Sequence, residues 1–423
     1  MKVFLSAFSC QPGKGSESGV GWHWAKNISE IGHEVWVVTR CQNRASIEAE
    51  MARQPSTNLH FIYYDLPNKF HWGAWKKYIW RFNIAENLSW AIWNHMYYFF
   101  WQREIARIAS DLHKTVRFDV AHHITYASAT RAVFLGSTDI PFVIGPGGGG
   151  ERAPFRLRTQ LSRYQKLTEF IRDVSIFISG LSPYVRGMYK KAKIIFVCTE
   201  QSKQIIAKKH RHKVHIKLQI GIESVIDNKV TLKNSQREYK KLLYVGRFIY
   251  WKGMSFGLKA FSMYIKTHPN TMLTIVGKGK EERVWRKLAQ ELEIENNIQW
   301  ISWVDQEELK NIYQDHDAFL FPSHHDSGGN VVIEAMAYGL PVICLNLGGP
   351  AVAVTEKCGR IVDVKKKDIT DVEADLCNAM EWILSDNERL QKLKKAAIMR
   401  ASSFTWNNIV REAYSLIEKN IKN

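Results

Sequence analysis

The sequence has few features of disulfide-bonded, zinc-binding or membrane-spanning proteins. Its six cysteines form no CxxC pair and no regular framework, which argues against a zinc ribbon or a disulfide scaffold. Several lie inside apolar, strand-like runs, as expected for reduced, buried thiols of a cytosolic protein. No apolar stretch approaches the roughly 20 residues needed to cross a bilayer, so we expect any membrane contact to be peripheral. The apolar start, MKVFLSAFSC, is short and runs into a glycine-rich segment, which favours a first β-strand over a signal peptide.

Positive charge is concentrated in one part of the chain. The net charge is +18, and residues 151–217 hold 16 Lys and Arg against 4 Asp and Glu, a balance of +12. A patch of this density attracts phosphates, whether on nucleic acid, on anionic lipid or on a diphosphate-linked substrate. The alternative is a solvated helical face.

Short apolar runs alternate with longer amphipathic stretches throughout the 423 residues, which is typical of parallel sheets covered by helices. The fold class predicted is α/β, with two Rossmann-like, doubly wound domains. The expected strands are 2–8, 34–39, 59–64, 119–124, 141–145, 194–198 and 214–218 in the first half, and 241–246, 271–276, 298–302, 318–321, 341–345 and 359–362 in the second.

The domain boundary is expected where apolar runs are scarce. We expect residues 1–222 to form a first domain, 223–240 a polar linker and 241–401 a second domain. The last segment, 402–423, has apolar residues at helical spacing and is predicted to be a helix that packs on either domain.

The strongest functional pattern lies in 319–350, where a strand is followed by a small-residue loop and a helix. Gly328 and Gly329 would let backbone approach a diphosphate, and the amides and dipole of the helix start favour negative charge. Glu334, about one turn further along, can accept hydrogen bonds from a ribose diol, and Asp326 can reach sugar hydroxyls. Glu334 alone would also suit stabilisation of the helix start. A diphosphate, a ribose and sugar hydroxyls together indicate a nucleotide-sugar donor. The remaining candidates of this turn for binding that donor are Ser327, Asn330 and Val331.

A second element is YVGRFIYWKG, in which Arg247 and Lys252 project from one sheet edge and would neutralise a diphosphate leaving group. Unpaired surface charges are the alternative. Gly277, Trp303 and Val304 lie at two further strand ends suited to holding a base or ribose.

The first domain contributes two weaker patterns. Gly19 belongs to a glycine loop, GKGSESGVGW, that follows the first strand and suits either phosphate or sugar contact or a tight structural turn. His122 and His123 end the fourth strand, where a histidine can bind a substrate hydroxyl or be a buried core residue.

Taken together, GSESGVGW, GPGGGGE, GRFIYWKG, IVGKGK and HHDSGGNVVIEAMAYGLPVI resemble the retaining glycosyltransferases of family 4, whose GT-B fold has two Rossmann-like domains facing across a cleft. The resemblance places the family's two acids on Asp326 and Glu334, with Glu334 on the ribose. It places the diphosphate-binding pair on Arg247 and Lys252, and the histidine near the reacting carbon on His123 or His122.

The same resemblance implies retention of anomeric configuration, a UDP- or GDP-sugar donor and no metal. The sequence agrees, since no DxD-like acidic pair follows a strand; Asp315-His-Asp317 precedes one.

The acceptor side is predicted from an aromatic-rich insert between Leu66 and Asp119, which holds six of the fifteen tryptophans. With the basic segment 151–217 it suggests a first domain resting on an anionic membrane, at the inner face of the cytoplasmic membrane. The acceptor would be a saccharide, carried on polyprenyl diphosphate. The alternative is that these aromatics pack into the core.

The predicted function is therefore sugar transfer in the assembly of a cell-surface polysaccharide or glycolipid. Two alternatives are a nucleotide-sugar epimerase of the same fold and a basic nucleic-acid-binding protein. The chain has no recognisable RNA- or DNA-binding motif, so we expect no nucleic-acid partner.

Overall fold

The computed structural model describes residues 1–67, 86–225 and 239–421. Thirteen strands in this part of the chain form one sheet of seven parallel strands and one of six. The first sheet contains β1 (Lys2–Ala7), β2 (Glu34–Thr39), β3 (Leu59–Tyr63), β4 (Val120–Thr125), β5 (Phe142–Gly147), β6 (Ile194–Val197) and β7 (Val214–Ile216). The second contains β8 (Lys241–Val245), β9 (Met272–Val276), β10 (Ile298–Ile301), β11 (Ala318–Phe321), β12 (Val342–Leu345) and β13 (Gly359–Val362).

Fourteen α-helices of the described chain cover these sheets. Six lie in the first half: α1 (Ser16–Glu30), α2 (Arg44–Arg53), α3 (Glu86–Val116), α4 (Arg163–Leu181), α5 (Pro183–Lys191) and α6 (Glu200–Gln204). Eight follow: α7 (Met254–Ile265), α8 (Glu282–Glu291), α9 (Gln306–Gln314), α10 (Asn330–Ala337), α11 (Pro350–Ala353), α12 (Ile369–Leu384), α13 (Asn387–Ser402) and α14 (Trp406–Ile421).

All thirteen expected strands are present, and each end lies within two residues of the expectation. The apolar runs were informative because these strands are covered on both faces. Every residue of β4, β5, β6, β11 and β12 is buried. A parallel strand buried on both faces has a continuous apolar sequence instead of an alternating one.

The strand order defines where a ligand can bind. It is β3-β2-β1-β4-β5-β6-β7 in the first sheet and β10-β9-β8-β11-β12-β13 in the second. Chain order therefore reverses between β1 and β4, and again between β8 and β11. Open α/β sheets bind ligands in the crevice outside the carboxyl ends of the strands at such a point.

The chain returns to the first domain at its end. Ile222 and Thr405 form an isolated parallel β-bridge, and α14 packs along α1. Tyr414 of α14 is fully buried, and its hydroxyl lies 3.2 Å from Nδ1 of His122. Most of the predicted linker, 226–238, lies outside the described residues.

The described part of the aromatic insert packs inwards. Tyr97, Tyr98 and Trp101 of α3 are buried in a core with strands of the first sheet, and the Trp101 indole donates a hydrogen bond to the carbonyl oxygen of Tyr64. These rings therefore do not form the membrane-facing surface expected from the sequence. Residues 68–85 of the insert lie outside the described residues.

Candidate functional site

The loop between β11 and α10 is organised by Asp326. Its Oδ1 accepts hydrogen bonds from the backbone amides of Gly328 and Gly329, at 3.2 and 3.1 Å. Its backbone oxygen accepts from the amide of Gly349, at 2.6 Å. Gly329 has a φ of 73°, in the left-handed region that glycine tolerates best, and this turn starts α10. Asp326 thus holds the backbone amides of Gly328 and Gly329, which directly precede the helix start expected to favour a diphosphate.

Lys252 approaches the same carboxylate from the loop after β8. Its Nζ forms an ion pair with Oδ2 of Asp326 and lies 4.8 Å from the ring centroid of Phe321. Both charged side chains are largely buried. Arg247, one residue beyond Gly246 at the end of β8, is exposed. The two predicted cations therefore flank the point where strand order reverses. Lys252 is held by its ion pair, whereas Arg247 is exposed to solvent.

Glu334 lies on α10, one turn beyond the loop. Its Oε2 accepts a hydrogen bond from the hydroxyl of Tyr313, at 3.3 Å. Burial raises the pKa of Glu334, against a lowering effect of the Tyr313 hydrogen bond. One carboxylate oxygen is thus fixed, which orients the other as a hydrogen-bond acceptor.

The remaining second-domain candidates lie around this centre. Gly277 has a φ of 141°, and a Cβ there would come within 2.0 Å of the carbonyl oxygen of Gly246, so two strand ends touch at this point. Trp303 is 70% exposed, and Val304 is half-buried. Asn330 is exposed and Val331 half-buried on the first turn of α10.

Ser327 lies next to the first domain. A Cβ placed on Gly148, in the loop after β5, would lie 2.5 Å from Cβ of Ser327. The glycine-rich run 147–150 is held by Glu151, whose carboxylate accepts from the amide of Gly149 and from the hydroxyls of Thr199 and Ser202, each at 2.7 Å. The carboxyl ends of both sheets therefore face each other across a cleft.

Gly19 has a structural role in this arrangement. A Cβ there would lie 2.0 Å from the carbonyl oxygen of Lys14, so the first turns of α1 and the preceding loop are in contact. This geometry is the tight turn that the sequence left open as an alternative.

The two predicted histidines do not reach the cleft. Both rings are fully buried. Nε2 of His122 donates to the carbonyl oxygen of Gly145 at 2.6 Å, and its ring faces α14 and Trp24. His123 lies on the opposite face, with Nε2 2.8 Å from the hydroxyl of Tyr98. Burial lowers the pKa of His122 to about 4 and that of His123 to about 3.

That one of them touches the donor sugar stays a prediction, and in this structure neither ring is exposed. Neighbouring residues of a strand point to opposite faces of a sheet, and helices cover both faces here. Each histidine is a neutral core residue in this structure.

A carboxylate that the sequence did not single out lies at the first-domain reversal point. Oε2 of Glu17, in the first turn of α1, accepts a hydrogen bond from the amide of Tyr126, at 3.1 Å. Tyr126 follows β4 and has a φ of 54°. Burial raises the pKa of Glu17, while the Tyr126 hydrogen bond and the charge of Arg131 lower it. Glu17 is the acidic residue of the GSESGVG segment. That segment was interpreted through its glycines alone, so a role for this carboxylate was not predicted.

Comparisons with known proteins find similarity to sugar-transferring enzymes in the half of the chain that contains Arg247, Lys252, Asp326 and Glu334. Residues 227–400 match the family described as glycosyl transferases group 1. The glycogen synthase of Mycobacterium tuberculosis (strain CDC 1551 / Oshkosh) is 32% identical over 171 residues, which span 40% of this chain and 40% of that protein. The similarity to glycosyl transferases group 1 thus lies in the second half of the chain, and this chain spans less than half the length of that curated relative.

The fold is shared over the whole length with solved structures. The lipopolysaccharide outer core galactosyltransferase WaaB, in its apo form, has a TM-score of 0.61 at 12% identity, covering 99% of both chains. The Anabaena protein Alr3699/HepE, solved in complex with UDP, has a TM-score of 0.59 at 13% identity, covering 99% of this chain and 100% of that one. The chain therefore has the GT-B fold.

An ionic cluster joins the two GT-B domains beside the cleft. Glu169 of α4 is fully buried, and its Oε1 accepts from the hydroxyl of Tyr250 at 2.8 Å and lies 3.0 Å from Nε2 of His325. Arg158 lies 3.6 Å from Oε2 of Glu169. Tyr250 precedes Lys252 by two residues, and His325 is adjacent to Asp326, so one first-domain carboxylate contacts both second-domain loops.

These contacts give a testable pH dependence. Burial alone would raise the pKa of Glu169, but the hydrogen bond and charge of His325, the Tyr250 hydrogen bond and Arg158 together lower it to about 2. A depressed pKa contributes stability above the unfolded-state value, and that contribution is lost as the pH falls towards the folded value. We expect Glu169→Gln to cost about 2 kcal/mol at pH 7. The difference from wild type should shrink as the pH falls from about 4.5 towards 2.

Urea denaturation at several pH values measures this difference. Asp173→Asn is the matched control, because Asp173 is on the same helix and pairs with Arg158 at 2.6 Å within the first domain. Small-angle scattering should show a larger radius of gyration for Glu169→Gln than for the control. A constant stability difference across the pH range would contradict the assignment.

Proposed function

We propose that the chain is a retaining, metal-independent glycosyltransferase of the hexosyl type, which transfers a sugar from a UDP- or GDP-sugar to a saccharide acceptor. The observation that carries the proposal is the convergence of Arg247, Lys252, the α10 amino terminus and Glu334 at the reversal point of the second sheet. Cations and helix amides favour a diphosphate, and a partly fixed carboxylate suits a ribose diol. The family match over 227–400 and the UDP complex of the similar HepE structure support this assignment.

The leaving group of such a transfer is a nucleoside diphosphate, on which negative charge builds as the glycosidic bond breaks. Lys252 and Arg247 lie where they would stabilise that charge. Within the described chain, no three side chains from His, Cys, Asp and Glu are grouped so that they could together hold a metal ion. We propose that cationic side chains and backbone amides bind the diphosphate.

We place the acceptor on a lipid, as part of a cell-surface polysaccharide or glycolipid, and the enzyme on the cytoplasmic face of a membrane. The resemblance of fold to WaaB, a lipopolysaccharide outer core galactosyltransferase, supports this class of product. Among the helices of the described residues, none has the length and apolarity to cross a bilayer. We propose a peripheral contact with the membrane.

A panel of UDP-, GDP- and ADP-sugars, tested for thermal stabilisation of the protein, identifies the donor. Release of free sugar from the stabilising donor without acceptor supports a transferase. Interconversion of the sugar without release would favour an epimerase. Salt-sensitive binding to generic DNA with no response to any nucleotide sugar would overturn the proposal.

Site variants test the donor assignment directly. Arg247→Ala and Glu334→Ala are each expected to lower donor affinity or kcat/KM at least about tenfold, about 1.4 kcal/mol. Arg411→Ala on α14 and Glu291→Ala at the far end of α8 are matched controls, since both residues are exposed away from the strand ends. Wild-type kinetics in folded Arg247→Ala and Glu334→Ala would refute the donor site, and thermal unfolding establishes that they are folded.

A further inference from the structure

Helix α4 exposes its apolar side to solvent. Ten of the fifteen large hydrophobic side chains that are exposed in the described chain lie between residues 155 and 184. Phe170 is 62% exposed and Phe177 68%. The exposed apolar positions recur at three- and four-residue intervals and so form one stripe along the helix, which includes Leu167, Phe170, Ile171, Phe177, Ile178 and Leu181.

The opposite side of α4 faces the protein and is partly polar. Glu169 and Ile176 are its only buried residues, and Gln165 donates a hydrogen bond to Glu281 at 3.0 Å. A capping box between Ser162 and Gln165 fixes the helix start. The usual amphipathic arrangement is thus inverted, because the helix is held by polar contacts while its large apolar side chains remain in water. An exposed apolar surface of this extent is typical of an interaction site.

Charge around the stripe has one sign. Residues 152–191, all within the described chain, contain seven exposed Lys and Arg residues, among them Arg163, Lys166, Arg186 and Lys190. The two acids in this range are both engaged: Glu169 in the ionic cluster, and Asp173 with Arg158. A second copy docked through the same stripe would bring like charges together, whereas an anionic lipid surface is complementary to both the stripe and its rim.

A cavity beside the C-terminal half of α4 has the same mixed character. Its volume is about 390 Å³, and its lining includes apolar Ile176, Val185 and Ile205 together with cationic Arg186, Lys190 and Lys209. Cations next to an apolar wall suit a lipid phosphate at the level of the headgroups.

We propose that the exposed apolar face of α4, with its cationic rim, is the surface on which this protein rests on an anionic lipid bilayer. The stripe inserts among the acyl chains near the headgroups, and the rim contacts lipid phosphates. Because Glu169 on the inner side of the same helix contacts Tyr250 and His325, docking brings the cleft close to the bilayer. This inference rests on the membrane location in the proposed function and names the surface that makes the contact. That surface is α4, not the aromatic insert expected from the sequence.

Co-sedimentation with vesicles tests the surface. Wild type is expected to bind vesicles of phosphatidylcholine with phosphatidylglycerol, to bind phosphatidylcholine alone more weakly, and to lose binding as salt rises. The double variant Phe170→Asp/Phe177→Asp should lower the partition coefficient at least about tenfold. The control Val284→Asp/Met399→Asp introduces the same charge at two exposed apolar positions of the second domain and should bind like wild type.

A charge variant, Arg163→Gln/Lys166→Gln, keeps the apolar stripe and should weaken binding only to the anionic vesicles. Failure of wild type to bind either vesicle would overturn the proposal, as would equal binding by the α4 and control variants. Concentration-dependent dimerisation abolished by Phe170→Asp/Phe177→Asp, without vesicle binding, would instead assign the stripe to a second copy. Thermal stabilisation by the donor is measured separately, so loss of the membrane surface is distinguishable from failure of the proposed transfer reaction.

Discussion

Replacing Lys252 with Met is expected to lower kcat/KM for the nucleotide-sugar donor about a hundredfold, close to 3 kcal/mol of transition-state stabilisation. Lys252 is held between the carboxylate of Asp326 and the ring of Phe321, with only 13% of its side chain exposed. A cation fixed in this way needs little reorganisation when a diphosphate leaves. Met retains much of the length and apolar stem of Lys, so the variant removes mainly the charge.

The matched control is Lys259→Met on α7. Lys259 forms an ion pair with Glu373 at 3.3 Å, and its side chain is 29% exposed. Both variants therefore remove one partly buried ion pair of the second domain, but only Lys252 lies at the strand ends. We expect Lys259→Met to change donor kinetics less than about twofold. Equal kinetic losses at matched thermal stability would show that Lys252 acts through folding alone.

Sequence patterns were sufficient to predict the strands of both sheets. A central parallel strand is buried on both faces, so its sequence is a continuous apolar run that can be recognised locally. The patterns were also sufficient to bring Arg247, Lys252, Asp326 and Glu334 together, since carboxyl ends of neighbouring parallel strands meet at one sheet edge. What they could not give is the set of contacts made by each side chain. Asp326, for example, accepts hydrogen bonds from the amides of Gly328 and Gly329, although its carboxylate was expected to reach sugar hydroxyls.

The histidines and α4 show why long-range packing was not predictable. His122 contacts Tyr414, 292 residues further along the chain, and Glu169 contacts His325 across 156 residues. No local pattern identifies such partners. Periodicity likewise separates the two sides of α4 without telling which one faces water, and here the apolar side does. The aromatic residues of α3 were expected at a membrane surface but are buried in the core. Aromatic side chains occur in both places, so composition alone did not distinguish them.

The turn that presents Lys252 depends on the next residue, and Gly253→Ala is expected to reduce the free energy of unfolding by about 3 kcal/mol. Gly253 has a φ of 72°, and a Cβ there would lie 1.9 Å from the carbonyl oxygen of Pro322. The variant therefore has two costs, a left-handed backbone for alanine and a collision with backbone that cannot move without displacing the loop of Asp326. Donor affinity should fall with stability, because the collision separates the loops that hold the Lys252–Asp326 pair.

Gly13→Ala separates these two costs. Gly13 has nearly the same backbone angle, a φ of 68°, but a Cβ there would meet nothing within 4 Å. Alanine at Gly13 thus pays only the conformational cost, about 1 kcal/mol, and we expect a correspondingly smaller loss in urea denaturation. The difference between the two variants measures the contact of Gly253 with Pro322. Equal losses would mean that the loops after β8 and β11 yield to the added methyl group, and that the cation of Lys252 is held less firmly than its contacts indicate.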